Sequence, residues 1–189
     1  GDNIFYGSGF TKILKKSVKD VEKNKKAKVF GYYVNNPSRY GVVENDDKGS
    51  VISLEEKPKI PKSNYAVVGL YFYPNNVIEI ANKIKPSERG ELEISSINQQ
   101  YLNDNNLQIK IFGRGFTWLD TGTHDSLLNA GQLISTIQKS QGSYVACLEE
   151  IALIKKWISP ENMLNNIKDL DKTNCESYIK TLITKLKNE

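Results

Sequence analysis

All thirteen glycines of this 189-residue chain lie at or before Gly142, and residues 143–189 contain none. Glycine supplies tight turns and close backbone approaches. The part that carries it can reverse direction often, and the part without it can hardly leave the helix. Before Gly142 the hydrophobic period changes repeatedly. Ile13, Leu14, Val18 and Val21 recur at helical spacing over 12–26. Strand-like runs follow at 29–34, 40–44 and 51–55. The last two are joined by the turn Asp46-Asp47-Lys48-Gly49, which predicts a hairpin. Tyr65–Tyr73 is almost wholly apolar and reads as a strand buried on both faces. Helices are predicted from Val77 and over 91–102, a strand over 107–112, and a short apolar segment at Trp118-Leu119-Asp120. A helix capped by Thr123 runs to about Lys139, and the tail reads as helices over 148–157, 160–168 and 174–187. The organisation is an α/β body over 1–142 with a helical appendage over 143–189.

Charge and cysteine content narrow the function classes. The balance of 26 Lys+Arg against 22 Asp+Glu gives a net charge of +4, with only three arginines, Arg39, Arg89 and Arg114. Eight lysines crowd between Lys12 and Lys28, but Asp20 and Glu22 interrupt them. That pattern is a solvated helix face, without the arginines and stacking aromatics of a nucleic-acid surface. No apolar run reaches the ~18–20 residues that span a bilayer. Cys147 and Cys175 form no C-x-x-C pair, which fits a reducing, cytoplasmic setting. The only methionine is Met163, so the opening Gly1-Asp2-Asn3-Ile4-Phe5 reads as the middle of something, either with a leading methionine removed or with upstream structure absent.

Several segments can carry chemistry, each with a plainer reading beside it. Leu54-Glu55-Glu56-Lys57-Pro58 places acids and a base where a strand meets a proline-stiffened loop. A glutamate there can hold sugar hydroxyls and a lysine can neutralise a phosphate, or both are ordinary surface charges. Asp2 and Asp120 each adjoin large apolar residues. Two such carboxylates can share one Mg²⁺, which takes oxygen ligands, although Asp120 can equally make an Asx turn. Arg89 can clamp a phosphate or pair locally with Glu88, Glu91 or Glu93. His124 next to Asp125-Ser126 is no triad, and Gly113-Arg114-Gly115 is a lone glycine turn. Neither a G-x-G-x-x-G run nor a Walker-type loop occurs.

Taken in order, the pieces resemble a family. They are Gly1-Asp2-Asn3-Ile4-Phe5-Tyr6-Gly7, Arg39-Tyr40-Gly41-Val42-Val43-Glu44, Leu54-Glu55-Glu56-Lys57-Pro58, the run from Ser63 to Tyr73, Arg89-Gly90-Glu91-Leu92-Glu93-Ile94, and Trp118-Leu119-Asp120-Thr121-Gly122-Thr123-His124-Asp125-Ser126-Leu127. The series resembles the bacterial glucose-1-phosphate thymidylyltransferases of dTDP-rhamnose synthesis, over residues 1 to about 157. The resemblance implies a mixed, Rossmann-like sheet with flanking helices and a helical extension. It implies a reaction in which glucose 1-phosphate attacks the α-phosphorus of dTTP and pyrophosphate leaves. It places Asp2 and Asp120 on Mg²⁺, and Tyr40, Gly41, Glu56, Lys57 and Val67 on the sugar phosphate. Arg89 and Trp118 join them, with Lys57 and Arg89 holding the acceptor phosphate during catalysis. A cytoplasmic homo-oligomer, a tetramer, is implied as well, with a regulatory nucleotide site near Gly113, Arg114, Gly115, Glu150 and Ile151.

Two departures qualify the resemblance. The family's glycine-rich loop, with its arginine and following lysine for the triphosphate, has no counterpart in these 189 residues. The chain therefore reads as the carboxyl-terminal part of such an enzyme, inactive by itself. Leu153 and Ile154 stand where the family commonly has an aromatic residue and an arginine, which argues against feedback by dTDP-sugars. The alternatives are a non-catalytic sugar-phosphate-binding or oligomerisation module, and a sister nucleotidyltransferase that uses UTP.

Overall fold

The computed structural model describes residues 2–46, 50–87, 90–170 and 173–188. Contacts divide the chain into two compact units, Gly1–Ser126 and Leu127–Glu189.

The first unit is a mixed α/β body. In chain order it contains β1 (Asn3–Gly7), α1 (Phe10–Asn24), β2 (Ala27–Tyr33), β3 (Gly41–Asn45), β4 (Val51–Glu56), β5 (Tyr65–Phe72), α2 (Val77–Ala81), α3 (Ile94–Asn103), β6 (Leu107–Ile111) and β7 (Phe116–Asp120). Five strands form one sheet in the order β4-β3-β5-β2-β6. The β2–β6 pair is parallel and the other neighbours are antiparallel. The predicted hairpin is the β3–β4 pair, with Gly41 opposite Glu56 and Val43 opposite Leu54. Of its turn, residues 47–49 lie outside the described residues, and Asp46 and Ser50 bond each other at its two ends.

Strand alternation sends the side chains of this sheet into two cores. Ala27 and Val29 of β2 pack with Leu54, Tyr101 and Leu107 under α2 and α3. Phe30 of β2 packs with Ala66, Val68, Phe112 and Trp118 on the other face. There a series of rings, Phe5 to Phe10 and Phe30 to Phe112 to Phe116, joins the five-stranded sheet to the separate β1–β7 ladder. Buried aromatic pairs of this kind add about 1 kcal/mol each beyond their area.

Strand β5 corrects the expectation of burial on both faces. Ala66 and Val68 are fully buried, but Val67 is only half-buried and Gly69 is exposed. The reason is that alternate residues of β5, Val67, Gly69 and Tyr71, line a cavity. A second correction concerns α3, which begins at Ile94 rather than 91, because the Ser87 amide bonds the Glu91 carbonyl and keeps the entry extended. Strand β1 was not anticipated at all. Its sequence Asn-Ile-Phe-Tyr-Gly does not alternate apolar with polar residues, so it shows no period of two.

The second unit is helical. It holds most of α4 (His124–Gln141), which begins in the first unit, then α5 (Leu148–Ile154), α6 (Pro160–Asn166), a 3₁₀ turn at Ile167–Leu170 and α7 (Asn174–Asn188). Cys147, Leu153, Met163, Ile167, Ile179 and Ile183 form its core. Pro160 occupies the first turn of α6, and the Ser159 hydroxyl accepts from the Asn162 amide at 3.2 Å. Helix α5 stops at Ile154, short of the predicted 157. Lys156 takes a left-handed φ of 57° and the Trp157 amide turns back to the Ala152 carbonyl, a Schellman-like stop. Among the described residues no helix is long and apolar enough to cross a membrane.

Candidate active site

The β1–β7 ladder brings the two aspartates together. Antiparallel pairing places Asn3 opposite Asp120 and Phe5 opposite Trp118. The ladder is extended by Thr121, whose amide and hydroxyl both donate to the Asp2 carbonyl at 2.7 and 2.9 Å. Asp120 then makes an Asx-type turn, accepting from the Gly122 amide at 3.2 Å. A Cβ on Gly122 would stand 3.2 Å from Asp120 Oδ1 and 3.3 Å from Asp2 Oδ2. Two carboxylate oxygens from opposite ends of the first unit thus flank one glycine-sized space. Among the described residues no group of three or more His, Cys, Asp or Glu could hold a metal ion. A pair of carboxylates suits a hard divalent cation that keeps waters and binds substrate phosphates, so Asp2 and Asp120 fit such an ion.

Behind these carboxylates stands Asn3, which the sequence reading did not single out. Its Oδ1 accepts from Trp118 Nε1 at 2.6 Å and from the Gly69 amide at 3.2 Å. Its Nδ2 donates to Asp2 Oδ1 at 2.9 Å. One amide therefore fixes an aspartate, the indole and the β5 backbone. Gly69 must lack a side chain for this, because a Cβ there would lie 2.8 Å from Asn3 Nδ2.

The opposite wall comes from the β3–β4 hairpin. Gly41 pairs with Glu56, and a Cβ on Gly41 would sit 3.2 Å from Glu56 Oε2. Strand β4 ends at Glu56 and is followed by Lys57, whose amide bonds the Tyr40 carbonyl at 3.0 Å. Lys57 has φ of 44°, a left-handed conformation that disfavours any residue with a Cβ. Pro58 follows it and further restricts its backbone. Such strain persists where the surroundings over-determine it, commonly at functional sites. The Lys57 ammonium remains half exposed, 4.0 Å from Glu56 Oε1. Tyr40 packs its ring against Trp118 at 5.1 Å, with the Arg39 guanidinium 5.8 Å over its face. Burial first, and then the Asp120 carboxylate, push the Tyr40 phenol above its ordinary value. It stays a neutral donor beside that acid.

All these groups open onto a single cavity of about 270 Å³. It collects Asp2, Tyr40, Gly41, Glu56, Lys57, Val67, Trp118 and Asp120, eight of the residues picked from the sequence. Asn3, Arg39, Gly69 and Tyr71 line it as well, with Ile94, Ser95 and Asn98 from α3. The sequence signal for Asn98 was a lone amide on an apolar helical stripe, four residues after Ile94 and three before Tyr101. Arg89, expected on the same cavity, lies outside the described residues. The regulatory candidates are elsewhere. Gly113, Arg114 and Gly115 form the β6–β7 turn of the first unit, with Gly115 at φ 90°. Glu150 and Ile151 lie on α5 of the second, where Glu150 accepts from the Tyr178 hydroxyl at 2.7 Å.

The cavity is lined with acids, hydroxyl donors, one ammonium and an aromatic wall, and among the described residues it offers no cysteine or histidine nucleophile. It is equipped to hold a polyhydroxylated anion and a hard cation. The family model described as nucleotidyl transferase matches residues 1–136. A glucose-1-phosphate thymidylyltransferase of Neisseria gonorrhoeae is 49% identical over 185 residues, 98% of this chain and 63% of the relative. One from Mycobacterium tuberculosis is 48% identical over 183 residues, 97% of this chain and 62% of the relative. A Bacillus anthracis crystal structure described as a glucose-1-phosphate thymidylyltransferase in complex with a sucrose superposes with TM-score 0.58 at 39% identity, over 70% of this chain and 51% of that one. A UDP-glucose pyrophosphorylase complexed with UDP-glucose shares the fold, with TM-score 0.62 at 21% identity over 71% and 54% of the two chains. The chain spans a little under two thirds of the length of the curated relatives it matches.

Proposed function

The chain belongs to the nucleotidyl transferase family, and from that premise we propose that its cavity is the acceptor side of a glucose-1-phosphate thymidylyltransferase. The reaction would join glucose 1-phosphate to the α-phosphorus of dTTP and release pyrophosphate. The observation that carries this reading is the convergence of Asp2, Asp120, Glu56, Lys57 and Trp118 on one cavity from three separate stretches of chain. The names of the relatives supply the choice of sugar and nucleotide.

The chemistry asks little of a protein nucleophile. The acceptor phosphate is already anionic, so catalysis reduces to in-line positioning and charge neutralisation. Lys57 would hold the acceptor phosphate from the strained end of β4. Glu56 would accept from sugar hydroxyls, Gly41 and Val67 would let the ring approach β3 and β5, and Trp118 with Tyr40 would wall it. Arg89 would supply a second cation to the same phosphate. Asp2 and Asp120 would hold Mg²⁺, which when bound neutralises nucleotide phosphate oxygens. These 189 residues contain no glycine-rich loop bearing an arginine and a lysine. The chain by itself is therefore assigned sugar-phosphate binding without turnover. The dTDP-rhamnose pathway, a cytoplasmic setting and an oligomeric parent enzyme belong to the same reading.

Calorimetry with glucose 1-phosphate tests it. The intact chain should bind with measurable heat, and Lys57→Ala should weaken binding about 10- to 100-fold, the worth of one hydrogen bond to a charged group. Equal binding by the variant, or none by a folded chain, would overturn the assignment.

A further inference from the structure

We propose that Asn98 reads a hydroxyl of the acceptor sugar, donating its amide N–H to a ring substituent that faces α3; this rests on the acceptor-site reading above. Asn98 is 1% exposed, yet it lines the cavity together with Ser95, one turn earlier on α3. Its Oδ1 is occupied, accepting from the Tyr73 hydroxyl at 2.6 Å. Its Nδ2 has no partner among the described residues and is not sealed from solvent, so the cavity is where it points.

The amide cannot readily swing away. Tyr73 lies in a stack with Tyr71 and Tyr101, with ring centroids 6.0 and 5.5 Å from its own. The Tyr101 hydroxyl in turn donates to Asn76 Oδ1 at 2.8 Å, pinning the far end of the stack. Burial pushes the Tyr73 phenol well above its ordinary value, so it remains a donor at any ordinary pH and keeps the amide oxygen turned towards it. The nitrogen side is left facing the cavity.

A buried donor without an acceptor is costly to keep, about 1–3 kcal/mol. A site that pairs such a donor with a bound hydroxyl rejects analogues that lack the hydroxyl. Glu56 lines the same cavity as an acceptor, so donor and acceptor together suit sugar hydroxyls, which do both.

The test is calorimetry of the intact chain with glucose 1-phosphate and its four monodeoxy analogues, 2-, 3-, 4- and 6-deoxy. The wild-type chain should bind the parent sugar phosphate and lose about tenfold on one analogue. Asn98→Ala should bind the parent and that one analogue alike, with its response to the other three unchanged from the wild type. Tyr73→Phe leaves Asn98 whole but unpinned, and should blunt the same discrimination if the truncation fails to fold. Variants that bind the parent as the wild type does, or that keep its full discrimination, would overturn the role of Asn98 alone. A folded wild-type chain that binds no glucose 1-phosphate would overturn the acceptor-site reading and this inference with it.

Discussion

Charged residues in this chain act through the particular partner each one meets, and Asp20 shows it away from the cavity. The Lys28 ammonium on β2 is buried and donates to the Asp20 carboxylate on α1. That hydrogen bond is the main reason the Asp20 carboxyl is held below its ordinary range. A depressed carboxylate stabilises the fold above its unfolded pKa, and the contribution is lost as pH falls through the folded value. Asp20→Asn should therefore cost roughly 2 kcal/mol near neutrality. The cost should shrink at pH values below the carboxylate range, where the wild type also loses the pair. Urea unfolding at neutral and strongly acidic pH checks this, and a pH-independent difference would contradict it. The lysine run from Lys12 to Lys28, read as one solvated face, thus hides one lysine that is structural.

At the scale of elements, the β1–β7 ladder carries the most weight and was the least visible. Asp2 and Asp120 each stood out as acids beside apolar residues, and the family resemblance put them on one metal. Nothing in periodicity could show that five residues at each end of the body pair as strands. The hairpin β3–β4 was legible because the turn residues Asp46-Asp47-Lys48-Gly49 separate two short runs that carry Val42-Val43 and Val51-Ile52. The nine-residue apolar run at Tyr65 was legible as a strand, but its burial was misjudged, since lining a ligand cavity asks for apolar residues much as a core does. Asn98 stayed hidden because an amide on an apolar stripe looks the same whether it is satisfied or waiting for a ligand. Gly69→Ala tests how rigidly the ladder is tied to β5. Its Cβ would meet three atoms of the Asn3 amide within 3.0 Å. The amide cannot give way without loosening Trp118 and Asp2. The substitution should destabilise the fold by about 1–3 kcal/mol and weaken glucose 1-phosphate binding together with it. Unchanged thermal unfolding and unchanged binding would show that Asn3 is free to move.

At the scale of the whole molecule, the two units invite separate tests. The second unit exposes Leu148, Ile154 and Trp157, and Trp157 is 75% exposed beside a groove lined also by Leu153, Ile158 and Leu186. Large exposed apolar residues in one region mark association surfaces. A self-associating chain would cover them, so Trp157→Glu should lower the mass seen by light scattering, and an unchanged mass would remove that role for this groove. Given dTTP, glucose 1-phosphate and Mg²⁺, the folded chain alone should release no pyrophosphate. Turnover by a preparation free of other enzymes would mean that residues present here bind the triphosphate. The central claim, that the first unit holds an acceptor site walled by Trp118, has a more direct probe. The chain has two tryptophans, so Trp157→Phe leaves Trp118 as its only indole fluorophore. Titrating that variant with glucose 1-phosphate should shift its emission saturably, and the shift should weaken about tenfold or more when Lys57→Ala is added. Emission from the folded variant that stays unmoved up to millimolar glucose 1-phosphate would contradict the account.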